Sequence, residues 1–455
     1  MLLTGALLPP LDFFIVNVAL PSIRTDLGAT PAEVQLVISG YGAAYAVFLI
    51  TGGRLGDLYG RRRLFLLGMA GFVLASALCG LARSPGLLVF GRILEGATAA
   101  VLAPQILGSM RALFAGSELS RAVSLYATTI GLAAAIGQLL GGVLIAADIW
   151  GTGWRAVFLV NLPIGACAIA GGLVLVPETS ATAKPRLDVG GAALVSLALF
   201  ALIVPLSEGS DEGWPGWSVG ALAAVPLLLA GFLAYEDRLA ARGGMPLLDL
   251  ALLRVASFRR GVLAALLFFF TAPFYLFFSL ELQAGRGLGP LATGLAILPY
   301  GIGIFIGPLV TLPLLSRLRH RLFAIGMAIQ VTGYAAIGLC VALQSADGPL
   351  AAAVFVGGLG QGIAMPRLID MVLSEIPPQQ AGLAAGILNS TLQLGTSVSV
   401  ALIGPLFFSV LGHRTGATAY GEAFAAAMAA VVTGLGLALV IGAMPLPRPA
   451  RRRGQ

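Results

Sequence analysis

The sequence predicts an all-α polytopic membrane protein with fourteen transmembrane helices. Three observations carry this. Hydrophobic residues make up 58% of the 455 and charged ones only 10%, against roughly 25% charged in an average soluble domain. The mean hydropathy is +0.96, more apolar surface than a soluble fold of this size can hide. The apolar runs are about twenty residues long and apolar on every side, the length that crosses about 30 Å of hydrocarbon at about 1.5 Å per residue. An outer-membrane barrel would need segments of about ten residues with alternating polarity. Disorder is excluded by the same composition, and three cysteines cannot staple a chain of this length.

Taken in order, the first six spans centre near Asp12, Ala44, Phe72, Gly96, Ala133 and Ala166, separated by short polar breaks. Two more centre near Ala198 and Leu227, and the last six near Phe270, Pro299, Gln330, Gly360, Thr396 and Val431. This divides the chain into a first six-helix half over 1–176, two linking helices and a loop over 177–257, and a second six-helix half with a basic tail over 258–455. The longest polar stretch, from about Glu236 to Arg260, is too short for a soluble domain. Pro9-Pro10 is expected to interrupt the first span, and the lack of a basic lead-in before Leu2 suggests a start placed slightly late.

Basic residues orient the bundle. With the N-terminus in the cytoplasm, Arg61, Arg62, Arg63, Arg111, Arg121, Lys184 and Arg186 fall inside. So do Arg238, Arg242, Arg254, Arg259, Arg260, Arg317, Arg319, Arg321, Arg367 and the tail's Arg448, Arg451, Arg452 and Arg453. Roughly 21 of the 27 Lys and Arg residues share that face, a strong positive-inside bias that puts both termini in the cytoplasm. The net charge of +7 is therefore an orientation signal with some attraction to anionic lipid. No basic helix or aromatic-basic sheet signature accompanies it, so no nucleic-acid partner is expected.

A charge at mid-bilayer costs at least about 2.5–3.5 kcal/mol on insertion scales, so each one asks for a reason. Three stand out: Asp12 in the first span, and Arg92 and Glu95 in the fourth. Arg92 and Glu95 are three apart and share one helix face. They form either a self-neutralised packing pair or the lining of a polar cavity where Glu95 exchanges protons and Arg92 tunes it. Asp12 has no partner at helical spacing, because Ile15 and Val16 are apolar. Such a carboxylate is either a capped or Arg92-paired structural group, or one that holds a proton or sits beside a cationic substrate, and rarely both, which is what a proton-coupled exporter requires.

Several strings carry a resemblance. Leu11-Asp12-Phe13-Phe14-Ile15-Val16-Asn17-Val18-Ala19-Leu20-Pro21 opens the chain, and Gly53-Arg54-Leu55-Gly56-Asp57-Leu58-Tyr59-Gly60-Arg61-Arg62 joins the second and third spans. Arg92-Ile93-Leu94-Glu95-Gly96-Ala97 lies in the fourth span, and Gly131, Ala135, Gln138 and Gly142 stripe the fifth. Trp154 to Gly165, Pro246 to Leu250, Gly289 to Leu295 and Ala381 to Asn389 complete the set. Together they resemble the fourteen-helix drug:proton antiporters of the major facilitator superfamily, along essentially the whole chain. The resemblance implies six plus two plus six helices, with the site between the halves at mid-membrane. It implies a gate loop built from Gly53, Gly56, Asp57, Gly60, Arg61 and Arg62, and proton coupling through Asp12, Arg92 and Glu95. Three departures stand out. Leu58 replaces a common basic residue, Glu95 stands where glutamine is usual, and Gln138 replaces the proline of the antiporter motif.

Helical spacing nominates the substrate pocket: Tyr41 with Tyr45, Asn389 with Gln393 and Thr396, Gln361, Asn17 and Gln138, together with the aromatic ninth span. Aromatic walls with few polar groups suit large apolar or cationic ligands. No Gly-x-x-x-x-Gly-Lys-Ser/Thr loop, histidine cluster or Gly-x-Ser-x-Gly string occurs. The expected protein is thus no enzyme and needs no cofactor. It is a proton-driven exporter of amphipathic or cationic small molecules in the bacterial plasma membrane, working as a monomer among lipid. A proton-coupled uptake symporter on the same fold, or a transport-inactive scaffold or sensor, are the alternatives.

Overall fold

The structure is a computed structural model that describes residues 1–114, 116–179, 188–209, 213–248, 250–311, 321–373, 375–376 and 381–444. Lys184, Arg186, Asp249, Arg317, Arg319, His320, Arg448 and the arginines at 451–453 lie outside the described residues, as do the side chains of Arg111, Gly131 and Ala135. The described residues are helical, without strands. Thirteen helices among them are long and apolar enough to cross a membrane. The fifth expected span coincides with a 32-residue helix whose apolar described part is Ile136–Ala147.

The first bundle comprises α1 (Leu2–Leu27), α2 (Pro31–Tyr59), α3 (Arg61–Gly80), α4 (Pro85–Leu113), α5 (Gly116–Ala147), the short α6 (Ala156–Leu159) and α7 (Asn161–Leu175). Caps set its boundaries. Thr30 closes a capping box with Glu33 at the start of α2, and Ser84 accepts the Leu87 amide at the start of α4. Gly28 takes the left-handed conformation that ends α1. Pro9 and Pro10 do not interrupt α1, contrary to expectation; membrane helices tolerate proline where surrounding helices satisfy the freed backbone groups. The two prolines do remove two amide donors from the first half of α1, and Ala6, whose carbonyl loses its partner there, borders the central cavity.

The second bundle begins with α10 (Leu250–Arg254), α11 (Ala256–Phe268) and α12 (Ala272–Leu280). It continues through α13 (Pro290–Thr311), α14 (Leu322–Ala342), α15 (Asp347–Leu373), α16 (Ala381–Leu411) and α17 (Ala417–Ala443). Between the bundles run α8 (Val189–Glu208) and α9 (Gly216–Ala241). α8 packs on α2, α16 and α9, while α9 leaves most of its surface uncovered.

The bundles meet along three seams, α2 with α16, α5 with α13, and α1 with α12. The seams are tight at one end only. A Cβ on Gly142 would fall 2.6 Å from the Pro290 carbonyl oxygen, and one on Gly294 would fall 2.8 Å from that of Gln138. Only glycine lets these backbones approach so closely. At the same end Gln283 donates to the Val18 carbonyl at 2.9 Å, and the Arg24 guanidinium sits 5.6 Å over Phe408. The opposite end carries Arg54, Arg61, Arg62 and Arg63. There the seams part around a cavity, so the molecule is closed at one end and open at its basic end.

Candidate functional site

At the centre of the first bundle, packing brings charge together. α4 places Arg92 and Glu95 on one face, and α1 delivers Asp12 from across the bundle; all three are fully buried. Arg92 Nη1 donates to Asp12 Oδ2 and, at 2.6 Å, to Glu95 Oε2. Its Nε donates to the Val37 carbonyl at 3.1 Å, and its guanidinium lies 4.3 Å over the Tyr41 ring. Asn161 Nδ2 donates to Asp12 Oδ1 and to Ser76 Oγ, each at 2.9 Å. Ser76 in turn donates to the Phe158 carbonyl.

The count of charges is what gives the cluster its chemistry. Two carboxylates face one guanidinium, so with both ionised the buried group carries one unbalanced negative charge. Burying a charge without a partner costs several kcal/mol. Glu95 Oε1 and Arg92 Nη2 also have no hydrogen-bond partner. One proton added to the pair of carboxylates makes the cluster neutral, whereas a second would undo an ion pair.

Beside this cluster, between the bundles, lies a cavity of ≈ 880 Å³. Tyr41, Tyr45, Phe13, Phe14, Tyr126 and Phe269 give it aromatic walls, and Gln361, Asn389 and Gln393 give it amides. Tyr41 is the shared wall. It lines the cavity, donates to the Pro9 carbonyl at 3.3 Å, and covers Arg92 from the other side. Asp12, Arg92 and Glu95 do not themselves line the cavity. On the second bundle, the Tyr300 hydroxyl donates to Gln361 Oε1 and shares a 2.8 Å bond with Tyr334, which fixes the amide in the wall.

Not every nominated pocket residue arrives there. Asn17 is buried and its amide folds back onto the Phe13 carbonyl at 2.8 Å. Gln138 is buried in the α5–α13 seam, with neither side-chain polar atom partnered. Thr396 is buried and donates to the Leu392 carbonyl. These three lie outside the cavity lining.

The loop between α2 and α3 frames the basic mouth. Asp57 accepts from Arg61 at 2.7 Å, and Arg61 also donates to the Gly108 carbonyl at 3.2 Å. Gly53, Asp57 and Arg61 border the cavity. Gly56 is pressed against Gln105, and Gly60 ends α2 at φ 101°, where only glycine is comfortable. Arg62 donates to the Leu173 carbonyl, while Glu178 accepts the Arg62 and Arg63 amides. Sequence reasoning did not assign roles to Asn161, Ser76, Arg54 or Tyr126. The first is an amide in an apolar helix, a signal visible in the sequence. The partners of the others come from segments far away along the chain.

Two helical bundles around a cavity that opens at one end define a transporter of small solutes. The chain belongs to the Major Facilitator Superfamily, whose family model matches residues 2–400. It is 39% identical over 413 residues to the "Probable actinorhodin transporter" of Streptomyces coelicolor, covering 90% of this chain and 72% of that one. It is 34% identical to the "Tetracenomycin C resistance and export protein" of Streptomyces glaucescens, covering 90% and 75%. It is 30% identical to "Multidrug resistance protein Stp" of Mycobacterium tuberculosis, covering 87% and 72%. Among solved structures, a POT family transporter in complex with 5-aminolevulinic acid shares the fold at a TM-score of 0.70. That structure is 14% identical, over 96% of this chain and 94% of that one.

Proposed function

We propose that this protein is a proton-coupled exporter of amphipathic or cationic small molecules in the bacterial inner membrane. In this reading it has fourteen spans arranged six plus two plus six, and both termini are cytoplasmic. The single observation that carries it is the placement of Tyr41 between an aromatic cavity and a buried cluster of two carboxylates and one guanidinium, which a single proton makes neutral. With the basic end in the cytoplasm, the open mouth faces the compartment from which an exporter collects its cargo. The resistance and export proteins among the relatives support the same direction.

The cycle follows from the charges. A cationic ligand stacked on Tyr41 and Phe13 raises the positive potential beside Asp12 and Glu95, and the shared proton leaves through the open mouth. After the bundles rock, the ligand exits at the far side and a proton from there restores neutrality. The gradient drives the exchange, and no metal or organic cofactor takes part.

Ethidium efflux from energised cells, measured with and without a protonophore, tests the reading. Export above vector control that the protonophore removes is the expected result. Asp12→Asn should abolish gradient-driven efflux while leaving the amount of protein in the membrane unchanged. Undiminished efflux in that variant would sink the assignment of Asp12. A pH jump in proteoliposomes fixes the direction, because an uptake symporter responds with the opposite sign.

A further inference from the structure

The linking helices α8 and α9 take no part in the cluster around Arg92, yet they hold two buried carboxylates of their own. Asp188, at the start of α8, and Glu236, near the end of α9, are 3% and 0% exposed. They face each other across Gly191. A Cβ built there would fall 2.1 Å from Glu236 Oε1 and 2.4 Å from Asp188 Oδ2.

Three of the four carboxylate oxygens are accounted for. Asp188 Oδ1 accepts the Gly191 amide at 2.8 Å, and its Oδ2 accepts the Leu247 amide at 3.2 Å. Glu236 Oε2 accepts the Leu248 amide at 2.9 Å. Glu236 Oε1 is buried, aimed at Asp188 and without any donor. A buried acceptor left bare beside a second carboxylate is unfavourable twice over, through desolvation and through like-charge repulsion.

Both carboxylates grip the same piece of chain. Leu247 and Leu248 continue directly from Gly244, Met245 and Pro246, which line the mouth of the central cavity. The carbonyls of Met245 and Pro246 are taken by Arg54 of α2, the first at 2.8 Å. Residues 245–248 are therefore clamped from both sides, their carbonyls by the gate helix and their amides by the linking helices. The other ionisable groups facing this site among the described residues are Arg54, whose charge acts on both carboxylates, and the Tyr235 hydroxyl beside Gly190.

We propose that Asp188 and Glu236 share one proton across Gly191, and that this proton latches 244–248 over the basic mouth of the cavity. The proton supplies the donor that Glu236 Oε1 lacks and removes one of two facing charges. Its loss at higher pH on the basic side sets the carboxylates against each other, loosens the Leu247 and Leu248 amides and widens the mouth. The linking pair is then a second proton site, separate from the cluster at Arg92, that adjusts access rather than drives transport.

Leu247 is 4% exposed, so a cysteine there reports release of the latch. The experiment uses purified full-length Leu247→Cys in which Cys167 and Cys340 are alanine. Its labelling rate with a polar maleimide is divided by that of Tyr59→Cys, a site 61% exposed on the same end. The ratio should rise about tenfold between about pH 5 and about pH 9. In the Glu236→Gln background the amide donates to Asp188 permanently, and the ratio should stay low throughout. Asp188→Asn turns one of the oxygens that accept the Gly191 and Leu247 amides into a donor, so there the ratio should already be high at about pH 5. Hydrogen exchange over 244–248 in the unsubstituted chain, corrected for intrinsic rates, should follow the same pH course without any cysteine. A ratio independent of pH, or one that rises equally in Glu236→Gln, overturns the proposal. The readout uses no substrate and no gradient, so its failure is distinct from failure of the export reading.

Discussion

Replacing Glu95 by glutamine is the sharpest test of the charge count around Arg92. Glu95 Oε2 lies 2.6 Å from Arg92 Nη1. With an effective dielectric of about 20, the attraction lost is at most about 6 kcal/mol. The burial penalty of the removed carboxylate is several kcal/mol and disappears with it. These nearly cancel, and the carbonyl oxygen of the new amide can still accept from Arg92. The variant should therefore fold and insert, with stability changed by no more than about 2 kcal/mol. Proton binding is affected quite differently. With Glu95 gone, Asp12 and Arg92 form a neutral pair, and adding a proton would strand the arginine at a cost of about 3–5 kcal/mol. At about 1.4 kcal/mol per tenfold, occupancy of the site by a proton falls more than a hundredfold. The assay is proton release into weakly buffered detergent solution, read by a pH dye when saturating ethidium is added. Wild-type protein should release about one proton per ligand bound, and Glu95→Gln should release close to none. Equal release from both would refute the reasoning, because the exchanged proton would then belong to a group outside this cluster.

Further outcomes follow from the same geometry. Arg92→Met leaves two buried carboxylates facing each other and should cost about 3–5 kcal/mol, seen as a lower thermal midpoint that recovers in part at acid pH as a carboxylate takes a proton. Asn161→Leu removes the donor to Asp12 Oδ1, should cost about 1–3 kcal/mol, and should slow ethidium efflux more than it lowers the amount of inserted protein. Gly96→Ala would drive a Cβ to 2.2 Å from the Tyr41 carbonyl oxygen. It should separate α2 from α4 and destabilise by about 1–3 kcal/mol, read by thermal unfolding in detergent. Tyr41→Phe keeps the ring over Arg92 and loses the bond to Pro9. Its stability should change by about 0.5–1.5 kcal/mol, whereas Tyr41→Ala should lower ethidium affinity in a fluorescence titration.

Much of this was legible in the sequence because the bilayer imposes a simple rule. A spanning helix must satisfy its own backbone and present apolar side chains, so helix positions can be read from length and hydropathy alone. The presence of Asp12, Arg92 and Glu95 as costly intramembrane charges was visible for the same reason. Their arrangement was not. Sequence spacing pairs Arg92 with Glu95, but the partner of Asp12 comes from 80 positions away, and only helix packing decides that distance. Tertiary structure likewise decided that Tyr41 faces both cavity and arginine, while Asn17 and Gln138 are buried away from the cavity. It also joined Asp188 to Glu236 and tied both to the segment after Arg242. Hydropathy is a property of each residue, whereas a shared proton, a seam and a cavity belong to pairs of helices whose contacts no local pattern encodes.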